Sequence, residues 1–300
     1  MELVVIGKQT MPDMVIDSYP IYKVDNVKSI NIVDGNHSHI KWNEFEVLIE
    51  DQVSGEHFNY FNMNCLFNEA FGHWVLEVAI FLGIYKNLKK QIPNLKLYMP
   101  NFRHFKMAFL NAFDIPKDVI AETIQPNNTC FFTDRISHND SVFNETYKVY
   151  LDNFISYFHS NVEKIQKDID LIYMPRGRRE NYVENDRRIT NEDNIELLLK
   201  DKYNSIVFNA DNAPENFIDQ VKLINRAKIV VLTYGSAFFV NGCMLKNCKI
   251  LVLDKIESQF NYPYMRFLRD YIAENNTINF IPKEQLHNLD YIKSIIDSYQ

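Results

Sequence analysis

The chain has 300 residues, 46% of them hydrophobic and 24% charged, with a mean hydropathy of −0.27. That composition supports a substantial core and excludes a disordered protein, and the length fits one large or two ordinary domains. A net charge of −7 argues against nucleic acid as the principal partner, because duplex binding needs a broad basic face.

Residues 1–7 are too short for the apolar region of a secretory signal and read as a first strand over 2–6. Alternation predicts further strands over 29–33 and 39–50. A long helix is predicted over 68–91, ending ahead of Pro93. Strand 96–99, helix 102–113 and strand 130–133 follow. Helix 145–167 is amphipathic, with Tyr147, Leu151, Phe154, Ile155 and Phe158 at helical spacing. Beyond it strand and helix alternate: 171–174 leads to 191–200, 205–208 to 214–226, 229–232 to 237–245, and 250–253 to 262–273. Such alternation gives a parallel sheet with helices on both faces. The expectation is an α/β protein of two Rossmann-like domains facing a cleft, 1–165 and 166–300, with ligands at the strand carboxyl ends. The longest apolar run, 75–84, contains Glu77 and falls short of the roughly 20 residues of a membrane span. Cys65, Cys130, Cys243 and Cys248 show neither a Cys-x-x-Cys pair nor zinc spacing. Free thiols in a reducing, cytoplasmic compartment are the expectation.

Half of the ten arginines fall between residues 176 and 188: Arg176, Arg178, Arg179, Arg187 and Arg188. Arginine presents a rigid, permanently charged fork that grips phosphate at two points. The cluster follows a predicted strand and precedes a predicted helix, where α/β proteins hold phosphorylated ligands. Glu180, Glu184 and Asp186 lie among the arginines, so a solvated salt-bridged loop is the alternative. Thr190-x-x-Asp193 reads as a capping box beside this loop. The run Leu232-Thr233-Tyr234-Gly235-Ser236-Ala237 takes a strand through a small-residue turn into a helix. Gly235 would admit a close ligand, and Ser236 and the following amides would cap an anion. An ordinary strand–helix turn is the alternative. Asp254 closes the next strand, where an acid can accept from a ribose hydroxyl.

In the first half, His73 and Glu77 share one helix face at i, i+4 spacing. Their surroundings are apolar, which disfavours an ionised carboxylate; a base so tuned could take a proton from a sugar hydroxyl. A hydrogen-bonded core pair is the alternative. Asp168-x-Asp170 is the one Asp-x-Asp in the chain and the basis of a metal-dependent alternative. It lies at a strand start, where a metal–nucleotide site is not expected, and no metal ligands are assigned.

Five segments in order resemble glycosyltransferase family 61. That family carries an aromatic-rich His-Trp-Leu-Leu-Glu/Asp segment, matched here by Gly72-His73-Trp74-Val75-Leu76-Glu77. Its Ile-Ser-Arg strand end is matched by Tyr173-Met174-Pro175-Arg176. Its Arg-x-Ile/Leu-x-Asn-Glu helix start is similar to Arg188-Ile189-Thr190-Asn191-Glu192-Asp193, and its Phe-x-Glu-Gln segment to Phe217-Ile218-Asp219-Gln220. The strand ending in His-Gly-Ala-Gly corresponds to Ala227 through Ala237. The resemblance implies a GT-B-like fold, a nucleotide-sugar donor (usually a UDP-sugar), a glycan acceptor and inversion at the anomeric carbon. No resident cofactor is expected, and no divalent metal is expected to be required, since arginines at the diphosphate would do a metal's work. The resemblance further implies that the carboxyl-terminal half holds the nucleotide, with Arg176 and Arg188 on the diphosphate and Gly235 and Ser236 approaching it through backbone amides; Arg178, Asn191, Tyr234, Ala237 and Asp254 are expected to line the same donor site. Glu77 or His73 would then serve the acceptor side. The chain departs from the pattern at Tyr234, which stands for the family His, at Ala237 for its final Gly, and at Pro175 for its Ser. A bacterial or viral enzyme that decorates a surface glycan fits these features; the alternative of another class is a non-catalytic sugar- or nucleotide-binding protein, which the departure at Tyr234 supports.

Overall fold

The computed structural model describes residues 3–6, 14–16, 19–35, 41–49, 54–64, 71–133, 145–175, 189, 191–209, 212–254 and 263–299. The chain divides into two compact units, Met1–Phe154 and Ile155–Gln300, and the division falls inside one helix.

Unit 1 runs β1 (Leu3–Ile6), β2 (Met14–Ile16), β3 (Tyr19–Asp25), β4 (Val27–Gly35), β5 (Lys41–Ile49), β6 (Phe58–Asn62), α1 (Phe71–Glu77), α2 (Leu82–Gln91), β7 (Leu95–Tyr98), α3 (Lys106–Ala112), β8 (Ile120–Ala121), β9 (Asn128–Thr133) and the first part of α4 (Glu145–His159). The three strands expected in the first fifty residues are present and form their own sheet, β1-β5-β4, with β1 parallel and β4 antiparallel to β5. The larger sheet has the order β2-β3-β9-β6-β7-β8. Its four strands β9-β6-β7-β8 are parallel, and β3 runs antiparallel at the side of β9. The chain therefore goes from β6 outward to β7 and β8, then crosses back to lay β9 on the other side of β6. The crevice between β6 and β9 is a topological switch point, the place where open α/β sheets hold ligands.

At the amino end of this sheet the buried Asn128 is fully engaged. Its Oδ1 accepts from the Val27 N–H at 3.1 Å, and its Nδ2 donates to Val27 O at 2.8 Å and Gln125 O at 2.6 Å. A buried amide satisfied this way stitches β4 to β9 without desolvation loss. Beside it Val24, Val27, Ile30, Tyr60, Cys130 and Phe132 form one continuous apolar cluster.

Unit 2 holds the rest of α4, then β10 (Ile169–Met174), α5 (Glu192–Tyr203), β11 (Ile206–Val207), α6 (Phe217–Asn225), β12 (Ala227–Thr233), α7 (Gly242–Met244), β13 (Lys249–Leu253), α8 (Pro263–Ala273), β14 (Thr277–Ile281) and α9 (Leu289–Asp297). All five strands are parallel, in the order β11-β10-β12-β13-β14. Written from the first strand of the unit this is 2-1-3-4-5, the flavodoxin-like doubly wound order, with its switch point between β10 and β12. The sequences Ile-Asp-Leu-Ile-Tyr-Met, Ala-Lys-Ile-Val-Val-Leu-Thr and Lys-Ile-Leu-Val-Leu are nearly continuous apolar runs because helices cover both faces. The chain is thus a mixed α/β protein with parallel sheets, as expected.

Several elements differ from the sequence reading. The long helix expected over 68–91 is interrupted at Val78 (φ −128°), giving α1, a single 3₁₀ turn at Ala79–Phe81, and α2. The apolar run 75–84 is buried at every position but Gly83. Helix 145–167 stops at His159, followed by turns through Lys164. Strands β2, β3, β6, β8 and β14 and helix α9 were not expected. Most of these strands are short, and β6 is split by Asn59 and ends in Asn62.

Candidate functional site

Helix α1 follows the carboxyl end of β6. Its orientation is set by aromatics: Trp74 is fully buried with ring centroids 5.8 Å from Phe105 and 5.7 Å from Phe109, and Phe71 meets Phe105 edge-on at 5.5 Å. Phe105 precedes α3, beyond the carboxyl end of β7, so the amino end of α1 lies on the carboxyl side of the sheet. This clamp buries Gly72 and Trp74 through Glu77 and leaves His73 half-exposed. Lys106 is buried beneath the same cluster, its ammonium 5.4 Å from the Trp74 ring centroid. Such a cation–π contact is stronger for being desolvated. Nothing in the spacing of the sequence flagged Lys106; its position one residue after Phe105 gains meaning only from the packing.

His73 and Glu77 do meet, as their spacing predicted. Nδ1 of His73 lies 2.5 Å from Oε1 of Glu77. Side-chain exposure separates them: 38% for His73, 3% for Glu77. An ionised carboxylate only accepts, so the proton of this bond then sits on Nδ1, and Nε2 is left with a lone pair. The half-exposed ring, not the buried carboxylate, is the group a solute can reach.

Sequence reasoning also missed the polar residues at the carboxyl end of β6. Asn62 and Asn64 are both buried, and the Asn64 N–H donates to Asn62 Oδ1 at 3.1 Å. Thr133, at the end of β9 across the switch point, is buried as well. The available signal was the Asn alternation in Phe58-Asn59-Tyr60-Phe61-Asn62-Met63-Asn64, which breaks an otherwise apolar run.

In unit 2 the strands flanking the switch point pair up to their ends, Met174 opposite Leu232. From β10 the described chain continues through the half-buried Pro175 and resumes at Ile189, which is buried in the cluster of Tyr173, Ile195, Leu199, Val231 and Leu253. Arg176, Arg178, Arg179, Arg187, Arg188 and Thr190 lie outside the described residues.

The capping box needs correction. Helix α5 starts at Glu192 with Asn191 as its N-cap residue in left-handed geometry, φ 69°. The Asn191 carbonyl accepts the first helical bond, from Ile195 at 3.1 Å, which places Thr190 one residue too early to cap. Asn191 instead donates from Nδ2 to Leu286 O at 3.2 Å and accepts from the Asn194 amide, tying the helix start to the segment before α9.

At the end of β12, Gly235 has φ 126°, in the region that side-chain-bearing residues rarely adopt, so a glycine is required there. Tyr234 donates its N–H to Leu253 O at 3.0 Å and its hydroxyl to Met265 Sδ at 3.1 Å. Its ring packs edge-on against Phe239 at 5.6 Å, and burial pushes its hydroxyl up to about 12, so it stays protonated at neutral pH. The helix behind Gly235 is not the regular one expected over 237–245. It opens as a π-type turn, Ala237–Asn241, and closes as the three-residue α7. Such turns gather at functional sites, but so short a run carries a weak dipole. Ser236 is exposed and its side chain makes no cap bond. Ala237 is half-buried at the head of the turn. Asp254 follows β13 directly with φ 67°, half-buried at the same carboxyl edge.

Asp168 and Asp170 lie at the opposite, amino edge. Asp168 accepts two bonds from Arg226, at 2.8 and 2.7 Å, and the guanidinium holds its carboxyl below the usual range. Asp170 pairs with Lys228 at 2.7 Å. Each carboxylate is already matched to a cation, and the two are carried away from the strand carboxyl ends. Among the described residues no cluster of three or more His, Cys, Asp or Glu could hold a metal ion, and no helix is long and apolar enough to cross a membrane.

The sequence profile described as glycosyltransferase 61 matches residues 71–251, from the start of α1 into β13. No curated protein matches. Among solved structures, a variant of the wall teichoic acid polymerase TagF is similar at 15% identity, over 71% of this chain and 55% of that chain, with a TM-score of 0.19. The chain spans about half the length of that polymerase. Because the profile runs through more than half of the chain, from the His73–Glu77 helix past the glycine turn at Gly235, the protein belongs to glycosyltransferase family 61.

Proposed function

We propose that the protein is an inverting glycosyltransferase that moves a sugar from a nucleotide-sugar donor, a UDP-sugar, to a glycan hydroxyl. The observation that carries this reading is the switch point between β10 and β12. Chain continuity sets Arg176 next to Pro175 at the end of one strand, and Gly235 directly follows Tyr234 at the end of the other. Arginine at the end of one strand and a glycine turn at the end of its neighbour would suit a diphosphate.

In this reaction the acceptor oxygen attacks the anomeric carbon as the bond to the diphosphate oxygen breaks. The hydroxyl proton passes to Nε2 of His73, which Glu77 orients through Nδ1. The sequence leaves Glu77 or His73 as the base; the burial of the Glu77 carboxylate favours His73. Arg176 and Arg188 neutralise the leaving diphosphate as its charge develops, the work a divalent metal would otherwise do. The ion pairs of Asp168 and Asp170 weigh against the metal-dependent alternative. The reading requires the GT-B-type arrangement expected from the sequence. It also keeps the expected cytoplasmic location, with a surface glycan as the product.

The test is transfer from a panel of UDP-sugars. Arg176→Ala and Arg188→Ala should each lower turnover by ~10²–10³-fold, the usual loss when a transition-state charge partner is removed. Near-normal rates in both variants would sink the diphosphate role.

A further inference from the structure

At the amino edge of the unit 2 sheet, away from the strand carboxyl ends, Lys167 and Cys248 face each other. Lys167 lies two residues before β10 and Cys248 one residue before β13. The Lys167 Nζ is 2.8 Å from the Cys248 Sγ, and it also donates to Lys246 O at 2.9 Å. An N–H···O bond spans ~2.7–3.2 Å. Sulfur is the larger atom, so a lysine–thiol bond is ordinarily longer than that. The observed separation suits two atoms joined through one bent bridging atom. The sulfur is held in place as well: it contacts Ala227 O at 3.4 Å, and the Cys248 N–H donates to Asn276 Oδ1 at 3.0 Å.

Among the described cysteines this pairing is singular. Cys130 and Cys243 are buried, and burial pushes both thiols well up with no cation against the sulfur. Cys248 is only 2% exposed, but the ammonium of Lys167 opposes the effect of burial on its thiol. Lys167 itself is half-exposed and offers a flank to solvent.

We propose that Lys167 and Cys248 are an oxidation site, joined under peroxide by a covalent nitrogen–oxygen–sulfur bridge. One peroxide oxidises the thiol: the sulfur takes one oxygen, the O–O bond breaks, and water leaves a sulfenic acid. The ammonium loses a proton to solvent, and a second peroxide converts the amine to a hydroxylamine with loss of another water. The hydroxylamine oxygen then attacks the sulfenyl sulfur, the S–OH bond breaks, and a third water departs. Thiol and amine plus two peroxides thus give the bridge and three waters. Two equivalents of dithiothreitol reverse it, yielding thiol, amine, one water and two oxidised dithiothreitols. The bridge links residues 81 apart in sequence and spans β10, β11 and β12, so it constrains the unfolded chain as a long-loop disulfide does.

The full-length protein treated with hydrogen peroxide and digested should yield a cross-linked peptide joining Lys167 to Cys248. Its mass should exceed the sum of its parts by about 14 Da, one oxygen gained and two hydrogens lost, against about 16 Da for simple sulfenylation. Dithiothreitol should abolish it, and the thermal midpoint should rise on oxidation and fall back on reduction. Lys167→Arg, which keeps the charge, and Cys248→Ser should each lose both the cross-link and the midpoint shift. Peroxide-treated wild type without the cross-link overturns the proposal, whether Cys248 climbs to sulfinic acid or stays a thiol. A cross-link that survives in Lys167→Arg overturns it equally.

Discussion

The two units present the same device built from different materials. Each has parallel strands with a switch point, β6/β9 in unit 1 and β10/β12 in unit 2. In unit 2 one strand at the switch point ends just before the arginine-rich segment 176–188 of the sequence, which lies outside the described residues, and the other ends in the turn at Gly235. In unit 1 the strand ends are lined by buried Asn62, Asn64 and Thr133, and the following helix supplies a half-exposed histidine held by a buried carboxylate. The difference teaches that topology alone marks where a ligand sits, while side chains decide which chemistry each edge serves.

The sharpest break of this comparison is kinetic. His73→Ala should lower kcat by ~10²–10⁴-fold, the span of a lost general base, with the donor KM unmoved. Arg176→Ala should raise the donor KM as well as lowering kcat. Glu77→Gln should fall between wild type and His73→Ala, since the ring stays but loses its orienting partner. If His73→Ala weakens donor binding as much as Arg176→Ala does, the division of labour between the units is wrong.

A smaller effect tests the backbone at the donor edge. Gly235→Val forces a branched side chain into φ 126° and should cost about 1–3 kcal/mol of stability, read by denaturant melts. A neutral result would mean that the turn relaxes and that the glycine serves close ligand approach alone.

Next comes a pH effect confined to unit 2. Burial holds His159 below its usual 6.5, with the charge of Lys246 adding to it. The unfolded state therefore takes up the proton first as pH falls. Stability from this group is full above about pH 6.5 and is lost as pH drops toward the depressed folded value. The thermal midpoint should decline over that window, and His159→Asn should flatten the decline. Least of all, Asp168→Asn and Asp170→Asn should leave transfer unchanged, and a chelator should do the same; loss of transfer in either would restore the metal-dependent alternative.

Most of unit 2 was legible from its sequence, because the central strands β10, β12 and β13, buried on both faces, must spell continuous Ile, Val and Leu runs, and the helices between them keep their own period. His73 and Glu77 were likewise bound to meet, since i, i+4 spacing on a helix brings any such pair together. Unit 1 was harder. Strand β6 is five residues with two asparagines, and its place between β9 and β7 depends on a return of the chain from β8 that no local pattern encodes. The burial of Glu77 beside a half-exposed His73 depends on how α1 is seated, and Phe105 and Phe109, some thirty residues away in the chain, hold Phe71 and Trp74 of that helix. Asp168 and Asp170 looked like possible ligands until β12 brought Arg226 and Lys228 alongside them. By itself the sequence determined element type, the family motifs and short-range pairs, because those follow from backbone periodicity. Strand order, exposure and the partner of each charge were decided by the tertiary structure, because they are set by residues far apart in the chain.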